Sequence, residues 1–275
     1  MPLAACIQLN GGSDTAANLA RTEALVRRAA AAGATLVATP EATTFLGPHS
    51  RKIALAEPVD GPTHRRLAAL ARELSIHLLV GSVAERHPDP GEQGRRAFNT
   101  SLLFDPQGAL VASYRKIHLF DVDLAAAGGV RFAESATTAP GHELVVAPSP
   151  LGPMGLSICY DLRFPELYAR LVDQGATVLA VPSAFTERTG RDHWHVLLRA
   201  RAIETQCWVL APAQWGAHDD EGLRRSYGHA LIVDPWGTVV AECGDGEGIC
   251  LAEVDPDLPL TIRARIPVQG NRRLS

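Results

Sequence analysis

The chain's 275 residues carry 26 basic and 30 acidic side chains, a formal charge of −4. The basic ones are nowhere denser than pairs such as Arg27-Arg28 and Arg224-Arg225, which argues against a nucleic-acid binder, since tracking a phosphate backbone takes a concentrated cationic face. A composition 46% apolar and 20% charged excludes disorder and collagen-like repeats, and it leaves small acidic ligands open because these need only one or two placed cations.

Residues 3–9 read as a strand. Their apolar run is short and follows no basic segment, so no export signal is expected. Nowhere does the chain reach the ~18–20 uncharged apolar residues of a membrane-spanning helix. A cytoplasmic protein without membrane attachment is the expectation. Over residues 14–32, Ala16, Leu19, Ala20, Ala24, Leu25 and Ala29 recur at helical spacing, with Ser13 or Asp14 able to cap the start and Gly33 to stop it. A buried strand over 35–39 ends at Pro40, and a helix over 63–74 and a strand over 76–84 follow. A polar tip at 86–96 leads to a strand over 98–104, and Asp105-Pro106-Gln107-Gly108 turns the chain into an antiparallel strand over 110–114. Residues 115–142 show no periodicity. Irregular chain of that length is uncommon inside a compact domain and often carries function.

Strands are then expected over 144–147 and 154–158, a helix over 165–172 closed by Gly175, a strand over 177–181 and a helix over 192–205. Strands over 208–211, 227–233, 238–241 and 249–254 complete the series, with Asp234-Pro235-Trp236-Gly237 a hairpin turn. Helices and strands thus intersperse with several hairpins, which points to an α/β, mixed-sheet, layered architecture. The 24 glycines and 19 prolines are dispersed, so no linker divides residues 1–275 and one domain is expected. There is no internal repeat, G-x-G-x-x-G or P-loop. Five cysteines, an odd set without C-x-x-C spacing, suit neither a disulfide framework nor a structural zinc knuckle and read as reduced thiols.

Cys159 stands at the end of an apolar strand and before the helix opened by Pro165, where helix-terminal amides can favour a thiolate and hold an oxyanion. An arbitrary cysteine is more often an inert core thiol. Here Tyr160, Asp161, Arg163 and Glu166 crowd the same strand end, which core packing alone would not require. Glu41 directly follows the strand at 35–39 and its proline. A solvated charge would be ordinary there, and a general base is the functional alternative. Lys116 opens the irregular stretch. The chain has two lysines, Lys52 and Lys116, among 26 basic residues, so a lysine kept at this position suggests a need for a compact ammonium. His193 and His195 project about 200° apart around a helix and could not chelate one ion together. Ser183 follows a strand but lacks the G-x-S-x-G elbow.

Glu41 after its strand, Lys116 in Arg115-Lys116-Ile117-His118-Leu119-Phe120-Asp121, and Cys159 in Ile158-Cys159-Tyr160-Asp161-Leu162-Arg163-Phe164-Pro165-Glu166 together resemble the nitrilase superfamily of carbon-nitrogen hydrolases. Similarity extends from the first strand through Arg273. The resemblance implies a Glu-Lys-Cys triad of these three residues and an auxiliary glutamate, supplied by Glu134 in Phe132-Ala133-Glu134-Ser135. It also implies a four-layer αββα sandwich that pairs with a second copy into an eight-layer homodimer. The family chemistry is attack of the Cys159 thiolate on an amide carbonyl, with Glu41 moving the proton. Lys116 and the Tyr160 N–H would stabilise the oxyanion, a thioester intermediate would form, and no metal or organic cofactor would take part. Arg163, Ser183 and Phe185 are expected around the substrate, with the loop at 186–191 and Arg163 near an acyl carboxylate or the leaving group.

Within the superfamily the chain is similar to the branch that includes the Fhit-fused forms and the deaminated-glutathione amidases. Pro182-Ser183-Ala184-Phe185, His193-Trp194, the run at 198–206, Ser226-Tyr227-Gly228-His229 and Asp234-Pro235-Trp236-Gly237 carry that likeness. The implied reaction releases 2-oxoglutarate and cysteinylglycine from deaminated glutathione. An ω-amidase acting on 2-oxoglutaramate, a nitrilase or a carbamoylase would use the same triad. Two departures stand out: a longer link at 123–129 before Glu134, and an end soon after Asn271-Arg272-Arg273, expected to remove some dimer contacts.

Overall fold

A computed structural model of the protein describes residues 1–123, 131–218 and 224–273, so all but the first residue of the lengthened link at 123–129 lies outside the described residues. The amino-terminal half contains β1 (Leu3–Leu9), α1 (Thr15–Ala31), β2 (Leu36–Ala38), α2 (His49–Ala54), α3 (Pro62–Leu74), β3 (His77–Arg86), β4 (Ala97–Phe104) and β5 (Leu110–Arg115). A short hairpin, β6 (Asp121–Asp123) and β7 (Arg131–Ala133), precedes β8 (Val146–Ala147), β9 (Met154–Leu156), α4 (Pro165–Asp173) and β10 (Val178–Ala180). The remainder is α5 (Glu187–Thr205), β11 (Trp208–Ala211), β12 (Ala213–Ala217), β13 (Arg225–Tyr227), β14 (Leu231–Val233), β15 (Val239–Glu242), β16 (Gly248–Glu253), α6 (Leu258–Arg265) and α7 (Val268–Asn271).

Two mixed sheets form. One runs β13-β12-β1-β2-β3-β4-β5 with β16 also paired to β1, and the other runs β15-β14-β11-β10-β9-β8. Strand alternation sorts the layers. Ala5, Ile7, Val37, Leu78 and Val80 pack with Leu19, Leu25 and Val26 of α1 and Leu67 and Leu70 of α3. Their neighbours Ala4, Cys6, Leu36, Ala38 and Leu79 share a core with Leu156, Val178 and Leu179 of the second sheet. That core continues to Leu167, Tyr168 and Leu171 of α4 and Trp194, Leu198 and Ala202 of α5. Helices therefore cover the outer face of each sheet, giving the αββα sandwich, and strands such as β10 are apolar throughout because both faces are buried.

The topology brings several strand ends to one rim. β1, β2 and β3 are mutually parallel, β4 is antiparallel to β3, and β5 reverses again, so the carboxyl ends of β2 and β5 share an edge. Glu41 lies just past the first and Lys116 just past the second. β9 and β10 are parallel within the other sheet, and Cys159 and Ala184 follow their carboxyl ends.

Four sequence expectations need correction. The helix expected at 192–205 begins at Glu187, so residues 187–191 are its first turns rather than a loop. Gly190 hides that start: a Cβ there would lie 2.3 Å from Tyr227 Cβ, so the glycine is a packing requirement and not a break. The strand expected over 227–233 is two, β13 in the first sheet and β14 in the second, divided at Gly228 and His229, both with positive φ. The stretch at 115–142 contains the β6–β7 hairpin and a 3-10 turn at Glu134–Ala136. Finally, α2, α6, α7 and β12 have no counterpart in the sequence reading. β12 is Ala213-Gln214-Trp215-Gly216-Ala217, too small and polar to read as a strand. By contrast, Asp14 caps α1 as expected, accepting from Ala16 N at 2.9 Å and Ala17 N at 3.1 Å. All five cysteines are unpaired. Among the described residues no helix is long and apolar enough to cross a membrane.

Candidate active site

Cys159 opens a 3-10 turn, Cys159–Arg163, with φ 49°, a left-handed conformation that a non-glycine residue holds only when its surroundings impose it. Two anchors impose it. The Cys159 N–H donates to Pro182 O at 2.9 Å, fixing the cysteine to the end of β10. Asp161, fully buried, accepts from Ile158 N at 2.9 Å and closes the turn from within. The same carboxylate accepts from Tyr114 Oη at 2.7 Å and His118 N at 3.0 Å, and lies 2.7 Å from His118 Nδ1. One side chain thereby ties the cysteine turn to the residues on either side of Lys116.

Lys116 is 2% exposed, its ammonium held between two carboxylates: 3.0 Å from Glu41 Oε1 and 2.9 Å from Glu134 Oε2. Asn99 of β4 bridges the same pair, donating to Glu41 Oε1 at 2.9 Å and to Glu134 Oε1 at 3.3 Å. The second Glu41 oxygen accepts from Ala184 N at 3.0 Å, and Gln214 Nε2 donates to the Glu41 carbonyl at 2.9 Å. Phe120 N donates to Glu134 Oε2 at 2.8 Å. The Cys159 thiol lines the same cavity as Glu41, near enough to feel its charge.

This packing sets the protons. Burial, and after it the Glu41 charge, pushes the Cys159 thiol well above its ordinary range against the pull of Lys116, so the resting site holds a thiol. Burial alone would lower the Lys116 pKa, but Glu134 and Glu41 outweigh it and hold the ammonium well above normal. Burial would likewise raise Glu134, yet Lys116, Lys52 and the Phe120 amide bring it down to about 2.

That depression makes a stability prediction. A carboxyl lowered on folding stabilises the fold above its unfolded pKa, and that contribution disappears as pH falls through the folded value. Glu134 should therefore contribute up to about 3 kcal/mol at neutral pH, lost between roughly pH 5 and pH 2. Denaturant titrations of wild type and Glu134→Gln should show a gap that closes across this window; a gap independent of pH would contradict it.

Glu41, Lys116, Glu134 and Cys159 share the floor of one cavity of about 1130 Å³, counting its open mouth, walled by Phe45, Phe120, Phe132, Tyr160 and Phe185. Arg163 lines it too, stacked over Phe185 at 5.2 Å with its guanidinium 3.2 Å from His193 Nδ1. Ser183 is placed differently. It is fully buried behind the wall, its hydroxyl donates to Val181 O at 3.0 Å, and it contributes nothing to the lining, because the strand end turns its side chain inward and leaves Ala184 facing the cavity.

Three residues at the site escaped the sequence reading. Asn99 interrupts an otherwise largely apolar buried strand, where a carboxamide has poor propensity, and that mismatch was its signal. Asp161 was visible only as part of a polar crowd. Lys52, the second of the two lysines, also lines the cavity; its Nζ lies 3.4 Å from Thr138 Oγ1, and burial lowers its pKa although Glu134 opposes that.

An αββα sandwich with a cysteine elbow and a carboxylate–ammonium pair lining one cavity between its sheets is the arrangement of a hydrolase class, and the carbon-nitrogen hydrolase profile matches residues 3–263. The chain belongs to the carbon-nitrogen hydrolase family. It is 44% identical over 275 residues to deaminated glutathione amidase of Rattus norvegicus, covering 99% of this chain and 83% of that one. It is 43% identical over 272 residues to the deaminated glutathione amidase of Synechocystis, covering 98% and 97%. Among solved structures, the C. elegans NitFhit protein superposes with a TM-score of 0.90 at 40% identity, covering 99% of this chain and 65% of that one.

Proposed function

We propose that this carbon-nitrogen hydrolase is a thiol amidase that cleaves deaminated glutathione to 2-oxoglutarate and cysteinylglycine. The observation that carries the mechanism is the convergence of Glu41, Lys116 and Cys159 on one cavity, with Lys116 hydrogen-bonded to Glu41 and the Cys159 thiol near enough to feel both charges. The substrate rests on the identity to curated amidases of that name over almost the whole chain.

At rest Glu134 and Glu41 hold Lys116 charged, and Lys116 holds Glu134 ionised, which leaves Glu41 to carry the proton. Glu41, next to the thiol, takes the Cys159 proton as Sγ attacks the amide carbonyl carbon. The oxyanion that forms is received by the Lys116 ammonium and the Tyr160 backbone N–H. Glu41 then passes the proton to the departing nitrogen, the C–N bond breaks, and a thioester remains. Water gives a proton to Glu41 and attacks the thioester, releasing the acid and restoring the thiol. Glu134 and Asn99 position Lys116 and Glu41. No metal or organic cofactor enters the scheme.

Lys52, Arg163, Arg224 and Arg225 give the cavity cationic walls suited to a substrate with carboxylates on both its acyl and leaving sides. Residues 1–275 act as one catalytic domain. We also infer a homodimer through the α5 side, where Val196, Ile203 and Trp236 are 67%, 50% and 62% exposed, an apolar cost that a second copy would remove.

Assaying deaminated glutathione, 2-oxoglutaramate and a simple nitrile in parallel tests the reading. Deaminated glutathione should turn over fastest, intact mass should show a 2-oxoglutaryl adduct on Cys159, and Cys159→Ala should lose at least about a thousandfold in rate. Faster turnover of 2-oxoglutaramate would make the protein an ω-amidase, and faster turnover of the nitrile would overturn the amidase reading.

A further inference from the structure

Away from the cavity, α5, the turn after β13 and the end of β15 bring His195, His229 and Glu242 together. His195 Nε2 lies 2.9 Å and His229 Nδ1 2.6 Å from the same oxygen, Glu242 Oε1, and the three ligand atoms are all within 4.8 Å of one another. The proposed reaction uses none of them. All three side chains are partly exposed in the single chain, so an ion could reach them before two copies pair through α5. The surroundings are stiff. Tyr227 stacks on the His229 ring at 4.3 Å, and the Trp194 indole N–H donates to the His229 carbonyl at 2.8 Å. His229 itself sits at φ 57°, a left-handed conformation that turns its imidazole toward Glu242 instead of continuing the strand.

We propose that His195, His229 and Glu242 form a binding site for a divalent transition-metal cation of the zinc type. Two imidazole nitrogens and one carboxylate oxygen are a donor set that such borderline cations favour over magnesium or calcium, with the fourth position left to water. A tetrahedral zinc ion keeps its ligand atoms roughly 3.3 Å apart. The contacts at 2.9 Å and 2.6 Å need only open by less than ~1 Å to admit it. Each imidazole then binds as the neutral ring with its proton on the opposite nitrogen, and the single carboxylate charge faces the cation. An ion here joins α5 to the β14–β15 hairpin. It also braces β13, whose Arg225 and Ser226 line the cavity from the other side.

Titrating zinc chloride into metal-free full-length protein, in a Cys159→Ala background that removes the cavity thiol as a competing ligand, tests the proposal. Calorimetry should show one zinc ion per chain and a melting temperature that rises with zinc concentration. His195→Gln and Glu242→Gln should each weaken binding by roughly tenfold or more. His193→Gln, on the helix face that meets Arg163, should leave the affinity unchanged. Because His195 and Glu242 are on separate elements and partly exposed, either variant alone gives the answer if the other folds poorly. No uptake at millimolar zinc, or one-to-one binding that neither substitution weakens, would overturn it.

Discussion

Replacing Glu41 by glutamine should cut amide turnover by roughly 10²–10⁴-fold while making Cys159 easier to deprotonate. The two effects have opposite signs because Glu41 has two influences on the thiol. As a charge it raises the thiol's pKa, second only to burial. As a base it is the carboxylate beside the thiol that can accept its proton. Glutamine removes the charge and leaves Lys116, whose attraction then favours the thiolate. It also removes the proton acceptor, and with it the proton that the leaving amine needs. The amide can keep an oxygen toward Lys116 and Asn99, but its NH₂ then faces the Ala184 N–H, which now donates to the carboxylate at 3.0 Å, a clash of donors costing about 1 kcal/mol. Folding should survive. The measurement pairs steady-state turnover with the pH profile of Cys159 alkylation by iodoacetamide. The profile should move to lower pH in Glu41→Gln even as turnover collapses. Turnover within tenfold of wild type would remove Glu41 from the proton route.

What the sequence disclosed and what it withheld divide along the range of the interactions. Asp14 capping α1, and the two turns at 105–108 and 234–237, close within a few residues, so the local string suffices; the turn bonds from Gly108 N to Asp105 O and from Gly237 N to Asp234 O are both 2.9 Å. Glu41, Lys116 and Cys159 lie far apart in the chain but each ends a strand in a recognisable string, and the parallel topology carries those ends to one rim. Asp161, Asn99 and Gly190 are different. Asp161 matters through Tyr114 and His118, Asn99 through Glu41 and Glu134, and Gly190 through Tyr227. No window containing only one member of such a pair identifies it. Ser183 shows the converse error: a residue in a family string need not itself face the substrate, since alternate residues at a strand end point to opposite sides.

Asp161→Ala should damage stability and chemistry together. The carboxylate has no exposed surface and receives Ile158 N, Tyr114 Oη and His118 N, with His118 Nδ1 alongside. Alanine leaves these donors facing one another in a closed space. An unsatisfied buried donor costs about 1–3 kcal/mol, so the sum reaches several kcal/mol, beyond the usual effect of one substitution. The Tyr114 phenol reinforces the case: burial, then the Asp161 charge, holds its pKa well above normal, so it is a committed donor that cannot ionise out of its predicament. Chemistry suffers by a separate route. Without the bond from Ile158 N, the turn around Cys159 keeps only backbone bonds such as Asp161 N to Ile158 O at 3.1 Å, and relaxation from φ 49° toward ordinary backbone swings Sγ away from Glu41. Tyr114 and His118 flank Lys116, so the oxyanion donor loosens in the same event. A displacement of about 1 Å can cost on the order of 10²-fold in rate. Asp161→Asn, which keeps one accepting oxygen, should fall between alanine and wild type in both respects. Urea midpoints give the stability, and kcat measured well below each variant's melting temperature gives the rate. If Asp161→Ala unfolds early yet turns over normally while folded, the carboxylate is a structural brace only, and the coupling between cysteine turn and lysine is absent.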